Sequence, residues 1–416
     1  MDQLHKRFSV EQVKLLMQRY TEGELSRAEI REVMGVGKTR FFALLKAYRQ
    51  SPETFSIAYE RSSPRRLNAA AEAQITQELE NEKQLVEDPR LPITSYNYSA
   101  LRDRLRKKKI QVSVPTIIQR ATQLDCYKPQ RKRKVHDRMV VTSAIGALIQ
   151  HDASLHLWSP YASEKWTLIT SIDDFSRLLL FADFVTEESS WAHIRAAQAL
   201  MQAFGLPLRY YVDNLRVFRF VSERDSVWRK NILNTDDIIT QWRKVMAVLK
   251  VEVTYALSPQ AKGKVERPYR WLQDRIVRTC ALEKLSDLEE VRAVLKEEVE
   301  RYNNHQVHST TGEIPRFRFE KARQAGNSLF RPFALPKPYE SFKDVFCLSG
   351  TRIVNGYRKI SFINQEIEVP HVPLRETVDL HVIPDMERRS LEVRIWWQKK
   401  MVRALHLPMP TTPVHF

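Results

Sequence analysis

Three acidic residues are the side chains in this sequence whose type and spacing could do chemistry: Asp152, Asp213 and Glu266. The local patterns predict a strand centre for the first, a strand end for the second and a helix start for the third. The chain around them carries a formal net charge of +17. Acids kept within so basic a chain typically hold cations that are themselves neutralising phosphate. The pattern therefore indicates metal-dependent phosphoryl transfer on nucleic acid.

The composition limits the class of protein. A chain of 416 residues predicts several domains, and no apolar run approaches the roughly 20 residues that a membrane span needs. The first residues lack the apolar core of a signal peptide. The three cysteines (Cys126, Cys280 and Cys347) are too far apart for a disulfide framework or a cysteine-ligated zinc finger, which favours a reducing compartment. The balance of 67 Lys and Arg against 50 Asp and Glu is typical of a protein with a polyanionic partner, and a merely basic soluble protein is the alternative that charge alone leaves open.

The first 50 residues predict a compact helical unit. Ser26 and Glu29 form a capping-box pattern before a short helix, and residues 35–37 predict a tight turn before the next helix. This order is the helix-turn-helix pattern, whose second helix enters the DNA major groove. The side chains expected to contact DNA are Lys38, Thr39 and Arg40. Those expected in the core are Phe42, Leu44 and Leu45. A plain three-helix bundle is the alternative.

A second helical unit is expected at 68–127, after a polar linker at 51–67. Ser113 is a good N-cap for a helix that resembles a second recognition helix. Its expected outward residues are Thr116, Gln119 and Arg120. The basic run around Arg131, Lys132 and Arg133 is expected to lie along phosphate backbone. A purely structural bundle is the alternative for this second unit.

Beyond residue 145 the hydrophobic pattern changes from helical to alternating, which predicts an α/β domain. The expected elements are strands at 147–158, 166–173 and 178–185, a helix at 189–204, a strand at 208–212, a helix at 238–249, a strand at 251–255 and then a helix carrying Glu266. Three strands, helix, strand, helix, strand, helix is the order of an RNase H-like fold. Asp152 and Asp213 then lie on neighbouring strands and can share two Mg²⁺ ions, with Mn²⁺ as a substitute.

The fold class is therefore multidomain. It has N-terminal all-α helix-turn-helix units, an α/β RNase H-like catalytic core and a C-terminal small all-β barrel of SH3 type. The expected boundaries are 1–50, linker 51–67, 68–127, basic linker 128–144, core 145–320, linker 321–340, barrel 341–400 and tail 401–416. A basic, proline-rich stretch at 316–338 suggests the second linker, and short alternating strands from 342 onward suggest the barrel. Contact with DNA or a partner subunit is one interpretation of Arg352, Arg358 and Lys359. An equally good one is that they are surface residues of the barrel without a binding role.

The ordered motifs of the core resemble those of the integrase-core transposases, the DDE group that includes retroviral integrases and transposases of bacterial insertion sequences. The motifs are Gln150-His-Asp152, Ile172-Asp-Asp-Phe-Ser-Arg177, Tyr211-Val-Asp213-Asn, Ser258-Pro-Gln-Ala-Lys-Gly-Lys-Val-Glu266-Arg and Tyr302-Asn-Asn-His-Gln-Val-His308-Ser-Thr-Thr-Gly-Glu-Ile-Pro315. The resemblance covers residues 145–320. It implies that Asp152, Asp213 and Glu266 are catalytic metal ligands and that one site cleaves and joins DNA strands.

Several residues near the triad have competing interpretations. Lys262, Lys264 and Arg267 are expected to bind phosphate near the scissile bond; the alternative is that they simply form a solvated helix face. His151 and His156 are interpreted as neighbours that touch DNA, and Asp173 and Asp174 as turn residues. The interval from Asp213 to Glu266 is 266 − 213 = 53 positions, which indicates an insertion at 216–236. Leu215 stands where the family usually has glycine, and the retroviral His/Cys zinc domain is absent.

The resemblance also implies partners and a location. Double-stranded DNA, as element ends and as target, is the expected substrate, and a homo-oligomer assembles on it. The need for an ATPase helper stays open. The expected location is the bacterial cytoplasm, associated with the nucleoid. Two alternatives remain: a sequence-specific DNA-binding regulator with an inactive RNase H-like core, and a structure-selective nuclease or RNase H.

Overall fold

The computed structural model describes residues 4, 7–57, 67–128, 142–212, 240–255 and 266–410, without the side chains of residues 266 and 267. Asp213 and the insertion expected at 216–236 lie outside these ranges. The chain divides into two compact units, Met1–Ala73 and Gln74–Phe416. None of the described helices is long and apolar enough to cross a membrane.

The first unit contains three helices that pack on one another: α1 (Val10–Thr21), α2 (Arg27–Met34) and α3 (Lys38–Gln50). The predicted capping box begins α2: Ser26 Oγ accepts from the Glu29 N–H at 3.3 Å, and the Glu29 carboxylate accepts from the Ser26 N–H at 2.7 Å. Gly35 ends α2 with φ of 62°, a left-handed conformation that glycine adopts without strain. The predicted helices and turn are confirmed.

One expected core residue of α3 was wrong. Phe41 is fully buried with Leu44 and Leu45, whereas Phe42 is 41% exposed. Positions 41, 44 and 45 share one helix face because residues three and four apart are neighbours, and residue 42 is turned about 100° from residue 41. Phe42 therefore adds an aromatic ring to the outer face of α3.

A second group of helices follows: α4 (Ala69–Glu87), α5 (Tyr98–Lys107) and α6 (Val114–Gln123). The predicted Ser113 N-cap is present, with its hydroxyl accepting from the Thr116 N–H at 3.3 Å. Asn97 caps α5 in the same way. Apolar residues of α5 and α6 are buried, among them Leu101, Leu105 and Ile117.

The central sheet has five strands in the order β3-β2-β1-β4-β5. The strands are β1 (Ile149–His156), β2 (Trp166–Asp173), β3 (Leu179–Val185), β4 (Arg209–Val212) and β5 (Glu252–Tyr255). The helices connecting and following them are α7 (Ser190–Phe204), α8 (Gln241–Val248), α9 (Glu266–Glu283) and α10 (Leu288–His305). β1 and β3 pair with β2 antiparallel, and β4 pairs with β1 and β5 in parallel. This mixed sheet with helices has the element order predicted from the sequence.

Helices cover both faces of the sheet. Ile149 and Tyr210 pack with Trp242 of α8 on one face, whereas Leu168 packs with Leu272 of α9 on the other. Side chains alternate between faces along a strand. Asp152 lies opposite Thr170 in the β1–β2 register, two residues from Leu168 on β2. Asp152 therefore belongs to the face covered by α9.

The C-terminal part consists of β-sheets after two further helices, α11 (Pro315–Gln324) and α12 (Phe342–Val345). Its strands are β6 (Leu348–Ile353), β7 (Lys359–Phe362), β8 (Gln365–Glu368), β9 (Thr377–Asp385), β10 (Ser390–Trp397) and β11 (Lys400–Pro408). They form a four-stranded sheet in the order β11-β10-β9-β6 and a separate β7-β8 hairpin. An all-β C-terminal part is thus present as predicted.

Three sequence expectations were wrong in this region. Residues expected as linker at 316–338 include α11, and the first expected strand, from 342, begins with α12, which Ser341 and Asp344 cap. The expected tail at 401–416 begins inside β11, which pairs with β10. β11 was missed because it is an edge strand whose side chains are mostly exposed, so the sequence carries little apolar alternation there.

Candidate active site

Asp152 lies at the centre of β1 and is 9% exposed. β1 pairs in parallel with β4, with Ile149 opposite Tyr210 and Gln150 opposite Tyr211. The strand that carries Asp152 and the strand that ends just before Asp213 are therefore neighbours, as the sequence predicted. Asp213 itself lies outside the described residues.

Glu266 is the first residue of α9, which confirms its predicted place in the opening turn of a helix. Tyr269 follows it by three residues, so the two positions share one helix face. The Tyr269 hydroxyl donates to the backbone carbonyl of Asp152 at 2.6 Å and accepts from Thr170 Oγ1 at 2.9 Å. Burial raises the pKa of Tyr269 well above its usual value, so the phenol stays a donor. The first turn of α9 is thereby joined to the strand residue that bears the carboxylate.

A second contact joins α9 to β1 further along both elements. Gln273 Nε2 lies 2.6 Å from His156 Nε2, and His156 is half-buried. Burial, with a smaller contribution from Lys165, lowers the pKa of His156, which favours the neutral ring that can accept this hydrogen bond. Sequence reasoning missed both Tyr269 and Gln273. Their spacing of three and seven residues from Glu266 was the available signal, since it places all three on one helix face.

His151 does not face the site, which corrects the expectation that it touches DNA. Its side chain is 1% exposed and points to the opposite face of the sheet from Asp152. Its ring nitrogens share hydrogen bonds of 2.8 Å with Ser171 Oγ and with His193 of α7, and Trp242 stacks on the ring. His193 in turn lies 3.0 Å from Glu188. The two histidines are a buried polar link between β1 and α7.

Asp173 and Asp174 have structural roles in the β2–β3 turn, as interpreted from the sequence. Asp173 accepts from the Ser176 hydroxyl at 2.6 Å and from the Gly146 N–H at 2.9 Å. Burial raises the pKa of Asp173, with the neighbouring Asp174 charge adding to this and the Ser176 hydrogen bonds opposing it. Asp174 accepts from Arg177 at 2.9 Å and also from Gln150.

The helix that begins with Glu266 is also the docking surface for α4 and α5. Arg278 of α9 is 1% exposed and pairs with Glu82 of α4, which is fully buried, at 2.5 Å. Arg275 pairs with Asp103 of α5 at 2.9 Å. Apolar contact between Leu85 and Val277 accompanies these pairs. α4 and α5 are therefore packed onto α9, and the chain from Gln74 onward belongs to the same compact unit as α9.

The residues proposed for DNA contact fall into three groups. Lys38, Thr39 and Arg40 are all exposed in the first turn of α3. Of the three candidates in α6, only Gln119 is exposed, while Thr116 and Arg120 are partly buried, and the Thr116 hydroxyl is 2.8 Å from Ser113 Oγ. The remaining candidates lie outside the described residues or side chains: Arg131, Lys132, Arg133, Lys262, Lys264 and Arg267.

The mixed sheet, with an acidic residue at the centre of β1 and the start of α9 beside it, resembles the core of an integrase-type catalytic domain. Comparison with curated proteins agrees with this class. The chain is 30% identical over 238 residues to "Putative transposase y4bF" of Sinorhizobium fredii (strain NBRC 101917 / NGR234), which is 57% of this chain and 47% of that protein. It is 30% identical over 171 residues to the transposase for insertion sequence IS1202 of Streptococcus pneumoniae, which is 41% of this chain and 35% of that protein. No family model matches.

Among solved structures, the HTLV-2 integrase catalytic core domain in complex with magnesium (trimeric form) is 15% identical, with a TM-score of 0.31 over 43% of this chain and 98% of that one. The simian T-cell lymphotropic virus intasome in complex with PP2A regulatory subunit B56 gamma is 12% identical, with a TM-score of 0.35 over 73% and 95%. The resemblance to integrase-core transposases of insertion sequences is confirmed, and the chain spans about half or less of the curated relatives' lengths.

Proposed function

We propose that the chain is a DNA transposase that binds the ends of a mobile element, cleaves DNA strands there and joins them to target DNA. The observation that carries the proposal is the parallel pairing of β1 with β4, in which Gln150 lies opposite Tyr211. Asp152 and Asp213 each follow that pair by two residues in the chain. Glu266 opens the helix that is hydrogen-bonded to the Asp152 carbonyl. Pairing and chain order support one site for the three carboxylates.

The donor chemistry of this site fits Mg²⁺, with Mn²⁺ as a substitute. Asp152, Asp213 and Glu266 would supply the hard carboxylate oxygens that Mg²⁺ prefers. No group of three or more potential metal ligands occurs within the described residues, which do not include Asp213 or the Glu266 side chain. Two bound ions would activate the attacking oxygen and stabilise the leaving one. The three carboxylates would hold the ions at fixed positions, and the chain would orient the DNA strand relative to them.

DNA would be bound by two helix-turn-helix units. In the first, the turn at 35–37 leads into α3, whose exposed Lys38, Thr39 and Arg40 suit contact with base edges and phosphates. In the second, α6 would present Gln119, with Thr116 and Arg120 contributing at its edge. The basic residues Arg131, Lys132, Arg133, Lys262, Lys264 and Arg267 would bind phosphate. The net charge of +17 supports an extended polyanionic partner.

The C-terminal strands would form an SH3-like barrel that assists DNA binding or assembly. Two element ends must be cut and joined together, so a homo-oligomer on DNA is part of the proposal.

The test is a strand-joining assay with purified protein, Mg²⁺, labelled element-end DNA and a supercoiled target plasmid. The wild-type protein should give joined product. Asp152→Asn should lower the rate at least about a hundredfold, since losing ~3 kcal/mol of metal-derived stabilisation corresponds to that factor. Asp183→Asn on the edge strand β3 is the matched control, because Asp183 pairs with Arg292 of α10, 3.1 Å away, and has no proposed part in the site.

Other outcomes distinguish the alternatives. Tight end binding without cleavage by any variant would favour the regulator with an inactive core. Cleavage of RNA–DNA hybrid without a requirement for element ends would favour the nuclease. Equal activity of Asp152→Asn and wild type would reject the proposed site.

A further inference from the structure

Tyr269 is the buried residue that bridges the two elements of the candidate site. Its hydroxyl donates to the Asp152 carbonyl and accepts from Thr170, so the phenol oxygen uses both kinds of hydrogen bond. Thr170 lies directly opposite Asp152 in the β1–β2 register. The Tyr269 hydroxyl is therefore bound to Asp152 of β1, and Thr170 of the neighbouring strand β2 holds it in place.

Apolar packing alone does not fix the position of α9 along the sheet. Leu272 and Ile276 pack against Trp166 and Leu168 of β2, and such contacts are non-directional. A slide of the helix along its axis would keep much of that apolar area buried. A hydrogen bond of 2.6 Å to a backbone carbonyl is lost with a shift of about one ångström. The polar contacts therefore define the axial register that apolar packing leaves open.

The two polar contacts lie on the face of α9 that begins at Glu266. Tyr269 is one turn and Gln273 two turns from Glu266, and they contact Asp152 and His156 respectively. The Tyr269 contact is the nearer of the two to Glu266 along the helix. Its partner, Asp152, is also the residue whose carboxylate is the candidate metal ligand on β1. A metal site tolerates little displacement of its ligands, so the register of α9 on β1 bears directly on metal affinity.

We propose that Tyr269 is a positioning residue of the metal site, which sets the first turn of α9 against β1 so that Glu266 and Asp152 can bind the same ions. The inference rests on the proposed function. Tyr269 does not contact metal or DNA in this role. It acts through the helix register.

The experiment compares Tyr269→Phe with wild type in two assays. The first is Mn²⁺-induced stabilisation, in which bound ions raise Tm by mass action and no catalysis is needed. The second is the Mg²⁺ concentration that gives half-maximal cleavage of element-end DNA. Tyr269→Phe should raise the metal concentration required in both assays by about 10- to 100-fold, as expected for loss of a residue that orients metal ligands. Cleavage should recover at high metal concentration.

The matched control is Tyr210→Phe on β4. Its hydroxyl is buried and has no hydrogen-bond partner within the described part of the chain. Removing it makes the same chemical change in the same domain and should leave both metal requirements unchanged. A second variant, Gln273→Leu, weakens the other contact on the same helix face and should raise the metal requirement less than Tyr269→Phe. It provides the test if Tyr269→Phe fails to fold.

The outcomes separate this inference from the proposed function. If wild type shows metal-dependent stabilisation and cleavage while Tyr269→Phe has a lower Tm but an unchanged metal requirement, Tyr269 is merely structural and the inference is wrong. Unchanged requirements in Gln273→Leu, where Tyr269→Phe does not fold, overturn it equally. A wild-type protein that neither gains stability with Mn²⁺ nor cuts DNA rejects the proposed function, and this inference with it.

Discussion

Replacing Arg278 by Met should separate α4 and α5 from the helix that begins with Glu266. The guanidinium is 1% exposed and bonds to the Glu82 carboxylate at 2.5 Å, to Asp274 at 2.8 Å and to the Ser95 carbonyl. Met keeps most of the aliphatic length of the side chain and removes the charge. Glu82, which is fully buried, would lose one of its cationic partners.

The free-energy cost of Arg278→Met depends on the hydrogen-bond partners that Glu82 retains. Breaking a buried ion pair by removing one partner costs about 3–5 kcal/mol. Glu82 would still accept from Arg104 at 2.9 Å and from the Asn97 N–H at 2.9 Å, which places the loss near the lower end, at ~3 kcal/mol. The equilibrium between docked and open forms would then shift by roughly 150-fold, at 1.4 kcal/mol per factor of ten.

Hydrogen exchange measured by mass spectrometry is the assay, because it resolves α4 and α5 from the rest of the unit. Their amides should exchange roughly a hundredfold faster in Arg278→Met. Arg90→Met is the control, because Arg90 also pairs with an aspartate, Asp88, but its side chain is 85% exposed. It should leave the exchange of both helices close to wild type.

A second variant tests the cause. Adding Glu82→Gln to Arg278→Met removes the uncompensated buried charge and should slow exchange again, although Glu82→Gln alone speeds it. If the two losses simply add, or if Arg278→Met exchanges like Arg90→Met, a buried ion pair does not hold α4 and α5 on α9.

Two further predictions concern the same compact unit. Glu78 and Asp103 are hydrogen-bonded by arginines and lysine; burial alone would raise the pKa of each, but these cations outweigh it and lower both pKa values below the usual 4.5 and 3.8. The stabilisation from both carboxylates is therefore present above the usual pKa values and is lost as pH falls through the lowered ones. The protection of α4 and α5 amides, relative to the intrinsic exchange rate at each pH, should therefore fall below about pH 4. It should fall less in Glu78→Gln, which has one of these titrating groups fewer. Gly205→Ala should destabilise the unit by about 2–4 kcal/mol in a melting experiment, because φ is 94° and a Cβ would lie 2.5 Å from the Arg331 carbonyl oxygen. The control Gly326→Ala, at φ of 70° with open space around the Cβ, should cost about 1 kcal/mol. Equal losses of stability in the two variants would contradict the steric argument.

Much of the core could be predicted from the sequence because its strands are buried or alternate regularly. β2 was predicted at 166–173 and found at Trp166–Asp173, where every residue is buried. The burial of His151 was also within reach of the sequence. Ile149 and His151 are two residues apart on β1 and therefore share one face of the sheet, so the apolar Ile149 indicates that His151 lies in an apolar core on the face opposite to that of Asp152.

The contacts that assemble the site could not be predicted. The Tyr269 hydroxyl bonds to a backbone carbonyl, and every residue has such a carbonyl, so no sequence pattern identifies the partner. The docking of α4 and α5 onto α9 depends on pairs such as Arg278 with Glu82, which are 196 residues apart in the chain. Charged residues on helices usually indicate a solvated face, so the sequence gives no signal that these arginines are buried.

Helix α9 carries a candidate metal ligand and is also the surface on which α4 and α5 pack. Its first residue is Glu266, its Tyr269 contacts the Asp152 carbonyl, and its Arg278 holds α4. Because an α-helix is stiff over this length, a force on its middle turns is transmitted to its first turn. α6 packs on α5, and α5 is joined to α9 by the Asp103–Arg275 ion pair. Under the proposed function, DNA bound at α6 would therefore contact a group of helices that is anchored on the helix carrying Glu266.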